Sequence, residues 1–143
     1  MAYYFERMLS IKEQSKRQII QRHYNSMAES YDNIESEPFY ANQYEVYERH
    51  LNRNARFVSG SVLDLGCGTG IQTEWLARYG SQVTGIDISD QLLKMAAEKC
   101  ASYGTVKLAE ADAANLPFPD ASFDSVVSYG ETISHAVVEL GHG

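Results

Sequence analysis

The spacing of apolar positions changes near Ser59-Gly60, and with it the kind of element the chain predicts. Before that point Ile19, Ile20, His23, Tyr24 and Met27 fall on one stripe, and Tyr44, Tyr47, Leu51, Ala55 and Val58 on another. Both have the three-and-four repeat of an amphipathic helix. Asn33 to Pro38, polar and closed by a proline, reads as the connector between them. Beyond Gly60, short runs rich in Val, Ile and Leu alternate with helical patterns. Ser61–Leu65, Gln82–Asp87, Val106–Glu110 and Phe123–Ser128 read as strands. Ile71, Trp75, Leu76 and Tyr79 mark the face of a helix after the first strand. Ser89 or Asp90 caps a second helix, whose face is Leu92, Leu93, Ala96, Cys100 and Tyr103. Leu116-Pro117-Phe118-Pro119 is a turn-rich stretch. Strands that alternate with helices imply an α/β fold with a parallel sheet and right-handed crossovers.

Charge sharpens the division. Residues 1–56 hold 8 basic and 8 acidic side chains, residues 57–143 hold 4 and 11, and the second part therefore carries the whole net charge of −7. A nucleic-acid surface needs clustered cations to displace counterions, and this balance argues against one. Arg7, Lys12, Lys16, Arg17 and Arg22 lie close together, but on a helix they read as a solvated face. No apolar run reaches the ~18 residues of a membrane span, and no basic start leads into an apolar stretch. Cys67 and Cys100 form no CxxC pair, which suits a reduced, cytoplasmic setting. His23, His50, His135 and His142 lack metal-ligand spacing, so no metal is expected.

The chemistry gathers around Gly66, Gly68 and Gly70, which follow the first strand and open the next helix. Glycines let a backbone turn sharply and approach a ligand closely. A helix N-terminus beside them offers N–H groups to an anionic group. A dinucleotide fingerprint needs glycines at offsets 0, 2 and 5, whereas here offset 5 from Gly66 is Ile71. No Gly-Lys-Ser/Thr follows, so this is not a Walker loop either. The nine residues Val62-Leu-Asp-Leu-Gly-Cys-Gly-Thr-Gly70 instead resemble the first motif of class I S-adenosylmethionine-dependent methyltransferases. Val83-Thr-Gly-Ile-Asp-Ile-Ser89 resembles the second motif. Glu110-Ala-Asp-Ala113 with Leu116-Pro117-Phe118 resembles the third. Tyr24-Asn-Ser-Met-Ala-Glu-Ser-Tyr-Asp32 resembles a segment that precedes the core in ubiquinone-biosynthesis-type and related small-molecule methyltransferases. The likeness runs from about Tyr24 to His135.

The resemblance implies a Rossmann-like sheet, here partial, with about four strands in the order 3-2-1-4 behind N-terminal helices. Residues 1–58 would form a helical lid segment and residues 59–143 the partial cofactor domain. It implies S-adenosyl-L-methionine as cofactor and a small molecule as methyl acceptor. Asp64, with Gly66, Cys67, Gly68 and Gly70, is assigned to the amino-acid end of the cofactor, and the Asp64 carboxylate suits its ammonium. Asp87 is assigned to the ribose hydroxyls, Ile88 to the adenine face, Asp112 to the adenine amino group and the Ala113 N–H to a ring nitrogen. Tyr24 and Tyr31 are candidates to close the pocket, since an aromatic face attracts a cation such as a sulfonium. Tyr129 sits near the end of the fourth strand, with Glu131 and His135 beyond it. No catalytic base is assigned, and Asp124 reads as a structural residue at a strand start.

The end of the chain departs from the family. Members usually carry seven strands in the order 3-2-1-4-5-7-6, and only 14 residues follow Tyr129. Two readings stay open: a methyltransferase, or a truncated binding module for the cofactor without activity of its own. In either case Ser125-Val126-Val127-Ser128 would leave an uncovered strand edge, a template for pairing with another chain. The expectation is a homodimer joined through that strand, edge to edge or by swapping, or else a poorly soluble monomer; the alternative is a C-terminal tail folded back as a short cover strand.

Overall fold

A computed structural model describes residues 2–35 (side chains from 14 to 31), 48–49, 52–55, 58–129 and 132. Seven elements follow in order: α1 (Ala2–Glu35), β1 (Ser61–Leu65), α2 (Ile71–Arg78), β2 (Gln82–Asp87), α3 (Asp90–Lys99), β3 (Val106–Glu110) and β4 (Ser125–Ser128). The four strands form one sheet in the order β3-β2-β1-β4. Every pairing is parallel, with Asp64 opposite Gly85 across β1 and β2, and Asp87 opposite Glu110 across β2 and β3. β4 joins the other side of β1, with Asp64 opposite Val127. The fold is therefore the α/β parallel sheet that the alternation of strands and helices predicts, in the Rossmann-like order that the family resemblance implies.

Alternate side chains of a strand go to opposite faces, and β1 shows what that achieves. Val62 packs with Trp75, Leu76, Ala77 and Val83. Leu63 faces the other way, onto Ile86 and Ala111, with Phe118 and Phe123 at the margin. Full burial of a Val or Leu side chain contributes roughly 1.5–3 kcal/mol, so β1 is anchored from both sides. Asp64 shares a face with Val62, the face covered by α2 and α3. Ser89 caps α3, its hydroxyl accepting from the Leu92 N–H at 3.1 Å. Asp124 accepts from both the Ser61 N–H (2.8 Å) and the Ser61 hydroxyl (2.7 Å), which ties the start of β4 to the start of β1. That is the structural role expected of it.

Several expectations need correction. α1 runs on through Asn33, Ile34 and Glu35, so the connector begins later than the polar composition suggests. Ile19, placed on an apolar stripe, is exposed. Tyr79 is exposed as well. It follows the last turn of α2, where its ring leans on Trp75 (centroids 4.4 Å apart) and its hydroxyl donates to Asn52 at 2.9 Å. β4 begins at Ser125 rather than Phe123, because Phe123 turns to meet Phe118 edge-on at 5.0 Å and Asp124 is engaged as a cap. Tyr44, Tyr47 and Leu51 of the second helical stripe, and Glu131, His135 and the tail, lie outside the described residues. Among the described residues no helix is long and apolar enough to cross a membrane.

Candidate functional site

Gly66 to Gly70, Asp87, Asp112 and Ala113 gather toward the carboxyl ends of the strands, where ligands bind in open α/β sheets. The turn from β1 into α2 is held by β2. The Gly66 and Cys67 N–H groups both donate to the Ile86 carbonyl, at 2.8 and 2.9 Å, and the Gly68 N–H donates to Asp87 Oδ2 at 3.0 Å. The Gly70 N–H bonds the Cys67 carbonyl. The N–H groups of these four residues are thus spent on shaping the loop. What the loop offers is a fixed backbone surface.

Two glycines differ in what they make room for. Gly70 has φ +85°, and a Cβ there would stand 2.9 Å from the backbone of Ala96. Its bareness lets α3 close on the start of α2. Gly68 has φ +52°, yet a Cβ there would meet no protein atom within 4 Å. Its left-handed backbone faces open space beside Asp87. Gly66 is crowded by Thr132, whose side chain a Cβ would overlap.

Asp64 is almost wholly buried, at 1% exposure. Gln72 Nε2 donates to Oδ1 at 2.7 Å and the Thr73 hydroxyl to Oδ2 at 2.6 Å. Burial, first of all, pushes the Asp64 carboxyl up to about 7; the two hydrogen bonds pull the other way, and the Asp87 charge adds to the rise. Asp87, at 9% exposure, accepts from the Ser89 N–H at 2.9 Å on Oδ1 and from Gly68 on Oδ2. Burial raises its pKa as well, opposed by the backbone N–H groups of Ser89, Gly68 and Ile88. Between the two carboxylates lies Cys67, buried, its side chain 3.1 Å from where a Cβ at Gly85 would stand. Burial pushes the Cys67 thiol up, and the Asp64 and Asp87 charges add to this.

Past β3, the Ala111 N–H donates to the Asp87 carbonyl at 3.0 Å. That bond sets the half-buried Asp112-Ala113 segment beside Asp87 and Ile88. Asp112 Oδ1 accepts from the Ala114 N–H at 2.9 Å, and its carbonyl from Asn115 at 3.0 Å, so the segment is a self-closed turn. On the other flank the Ser128 hydroxyl donates to the Leu65 carbonyl at 3.3 Å, and Tyr129 follows, 54% exposed.

α1 crosses this end of the sheet. Asn25 Nδ2 donates to Asp90 at 2.8 Å, and Asn25 Oδ1 accepts from the Ser89 hydroxyl. Gln21 reaches Glu110 at 3.1 Å. Tyr24 adjoins Asn25 in sequence and meets His23 edge-on at 5.5 Å; Tyr24 and Tyr31 are both half-buried. The structure thus binds Gly68, Asp87 and the Asp112 turn into one assembly, with Asp64 and Cys67 beneath it. Sequence reasoning missed Gln72, Thr73, Asn25, Gly85 and Thr132.

Comparison with known proteins fits this geometry. A family model described as a methyltransferase domain matches residues 62–140, and the chain belongs to that family. A demethylmenaquinone methyltransferase of Tropheryma whipplei (strain Twist) is 35% identical over 115 residues, 76% of this chain and 45% of that protein. One of Staphylococcus epidermidis (strain ATCC 35984) is 34% identical over 117 residues, 79% of this chain and 48% of that protein. The chain spans about half the length of the curated relatives it matches. Among solved structures, a DhpI–SAH complex superposes with a TM-score of 0.62 at 25% identity over 76% of this chain and 50% of the other. The PH0226 protein of Pyrococcus horikoshii OT3 gives 0.56 at 34% identity over 64% and 41%.

Proposed function

We propose that this chain carries the cofactor site of an S-adenosylmethionine-dependent methyltransferase acting on a small-molecule acceptor. The carrying observation is the open space over the left-handed backbone of Gly68, bordered by Asp87 at the end of β2. A ligand can lie there against bare backbone, and a carboxylate has lone pairs left to accept from ribose hydroxyls. Family membership and the names of the curated relatives support the reading.

When bound, S-adenosylmethionine supplies a methyl group on a positively charged sulfur, a donor already activated. The chain's own residues then position and shield. Gly66 to Gly70 and Asp64 would hold the amino-acid end, Asp87 the ribose, and Ile88, Asp112 and Ala113 the adenine. Tyr24, Tyr31 and Tyr129 would border the mouth. In-line displacement gains most from alignment and from excluding water, and in this reading α1, tied to Ser89, Asp90 and Glu110, would help to exclude it. Residues 1–58 act in this reading as a lid over the domain of residues 59–143. Cys67 and Cys100 are free thiols, which suits a cytoplasmic setting. The β4 edge, with Val126 exposed, is proposed to pair with a second copy of this chain.

Calorimetric titration with S-adenosylmethionine and S-adenosylhomocysteine, with NADH as control, tests the site. Saturable binding of the first two is expected. Equal binding of NADH, or no binding of either, overturns it. Mass spectrometry of a metabolite extract incubated with protein and cofactor then tests transfer: a product heavier by one methylene unit is expected.

A further inference from the structure

Two carboxylates lie on one face of the sheet at the site, Asp64 and Asp87, 1% and 9% exposed. Among the described residues the hydrogen bonds given to them come from neutral donors: Gln72 and Thr73 to the first, the backbone N–H groups of Gly68, Ser89 and Ile88 to the second. Neither forms an ion pair with any of the described residues, whose salt bridges are Arg17–Glu110, Arg78–Glu74 and Lys94–Asp90. Two buried negative charges without a cation are costly, and such a pair keeps a proton. The groups around them offer no substitute. Cys67, above β2, is uncharged. From the end of α3, Cys100 donates to the Gly70 carbonyl, and Lys99 is spent on the Thr69 hydroxyl at 3.4 Å. On α2, Glu74 and Arg78 answer each other at 2.7 Å. β4 brings Val127 alongside Asp64.

We infer that Asp64 holds a proton in the unliganded protein and gives it up to solvent when the ammonium of an amino-acid moiety settles on the Gly66–Gly70 loop, so that capture at this site exchanges a cation for a proton. This rests on the cofactor reading above and adds its regulation by pH. Asp64 is the group that keeps the proton, for two reasons. Asp87 is nearer the surface and is steadied as a carboxylate by backbone N–H groups. The Thr73 hydroxyl, 2.6 Å from Asp64 Oδ2, can accept from a protonated carboxyl as readily as it donates to a charged one, since its own proton can turn back to a carbonyl one helical turn earlier. Burial sets the Asp64 titration near neutrality, at about 7. An arriving ammonium favours the charged form and pulls the proton off.

The test is calorimetry with S-adenosylhomocysteine in buffers of different ionisation heat, on the wild type and Asp64→Asn. The difference between them removes ionisation of the ligand itself. With a titration near neutrality, wild type should release most of one proton per ligand on the acid side of that titration and almost none on the alkaline side, with affinity rising several-fold from pH 6 to pH 8. Asp64→Asn should release none beyond the ligand's own. Binding with no difference in proton release overturns the inference and leaves the cofactor reading standing. No binding at any pH overturns both. Should Asp64→Asn fail to fold, carboxyl carbon resonances of the wild type decide: Asp64 titrating near neutrality only without ligand supports the exchange, and an unchanging Asp64 signal from pH 5 to pH 8 overturns it.

Discussion

Placing an alanine at Gly68 and, separately, at Gly70 separates the two jobs done by one loop. Both residues have left-handed backbone, φ +52° and +85°, so each alanine costs about 1–2 kcal/mol for conformation alone. At Gly70 the new methyl also meets Ala96 Cα and Cβ at 2.9 Å and Cys100 Sγ at 3.4 Å. Those are backbone and short side-chain atoms of a packed helix, which cannot swing aside. Overpacking of this kind costs about 1–3 kcal/mol. The sum for Gly70→Ala is about 2–5 kcal/mol, a loss of about 1–2.5 M in urea midpoint at a slope of ~2 kcal/mol per M. At Gly68 no protein atom lies within 4 Å of the methyl, so stability falls by the conformational term only. The methyl stands instead where the ligand is proposed to lie, and S-adenosylhomocysteine affinity should drop about tenfold or more, worth ~1.4 kcal/mol at the least. Urea unfolding followed by circular dichroism gives the first quantity and calorimetry the second. Equal midpoints for the two variants would refute the close approach of α3 to Gly70. Unchanged affinity in Gly68→Ala would take the loop out of the site.

Asp87→Ala removes the acceptor of the half-buried Gly68 and the buried Ser89 N–H groups; leaving the Ser89 donor unpaired should cost about 1–3 kcal/mol of stability, and calorimetry should show weaker cofactor binding. Wild-type affinity in that variant would exclude Asp87 from the ligand. Asp64 titrates higher in the folded chain, at about 7, than an ordinary aspartate at about 3.9. Between those values the native state binds more protons than the unfolded state, so stability should fall as pH rises and level off above pH 7. Thermal melts from pH 4 to pH 8 should show that slope, and Asp64→Asn should flatten it. Sedimentation across a wide concentration range should reveal a dimer. A monomer throughout, with Val127 amides protected from exchange, would show β4 covered within the chain.

The strands were legible because their signals are local. β1, β2 and β3 are short aliphatic runs closed by glycine, aspartate or glutamate, and their bounds match the pattern residue for residue. The cap at Ser89 was legible for the same reason. At β4 the apolar run overstated the strand, since an apolar Phe123 serves a contact with Phe118 just as well. In α1 polarity misled, because Asn33 to Glu35 can continue a helix that no proline yet stops. The second layer of the site left no local trace. Gln72 and Thr73 matter because Asp64 sits eight and nine residues away beneath them, and Asn25 because it meets Asp90 across 65 residues. A glycine such as Gly85 reads as a weak strand residue until the packing of Cys67 on it is seen.

The pairing of β1 with β4 joins residues 63 apart in sequence, as in the bond from Ser128 to Leu65. During synthesis the sheet of β1, β2 and β3 can close as soon as residue 110 is clear of the ribosome. Leu63 and Leu65 then wait beside an unpaired edge until Ser125 to Ser128 emerge. At ~5–20 residues per second the 18 residues from Glu110 to Ser128 take on the order of 1–4 s. For that time the nascent chain presents the central strand of its future sheet as an outer one, the period in which chaperone capture or pairing with a neighbouring nascent chain competes with folding.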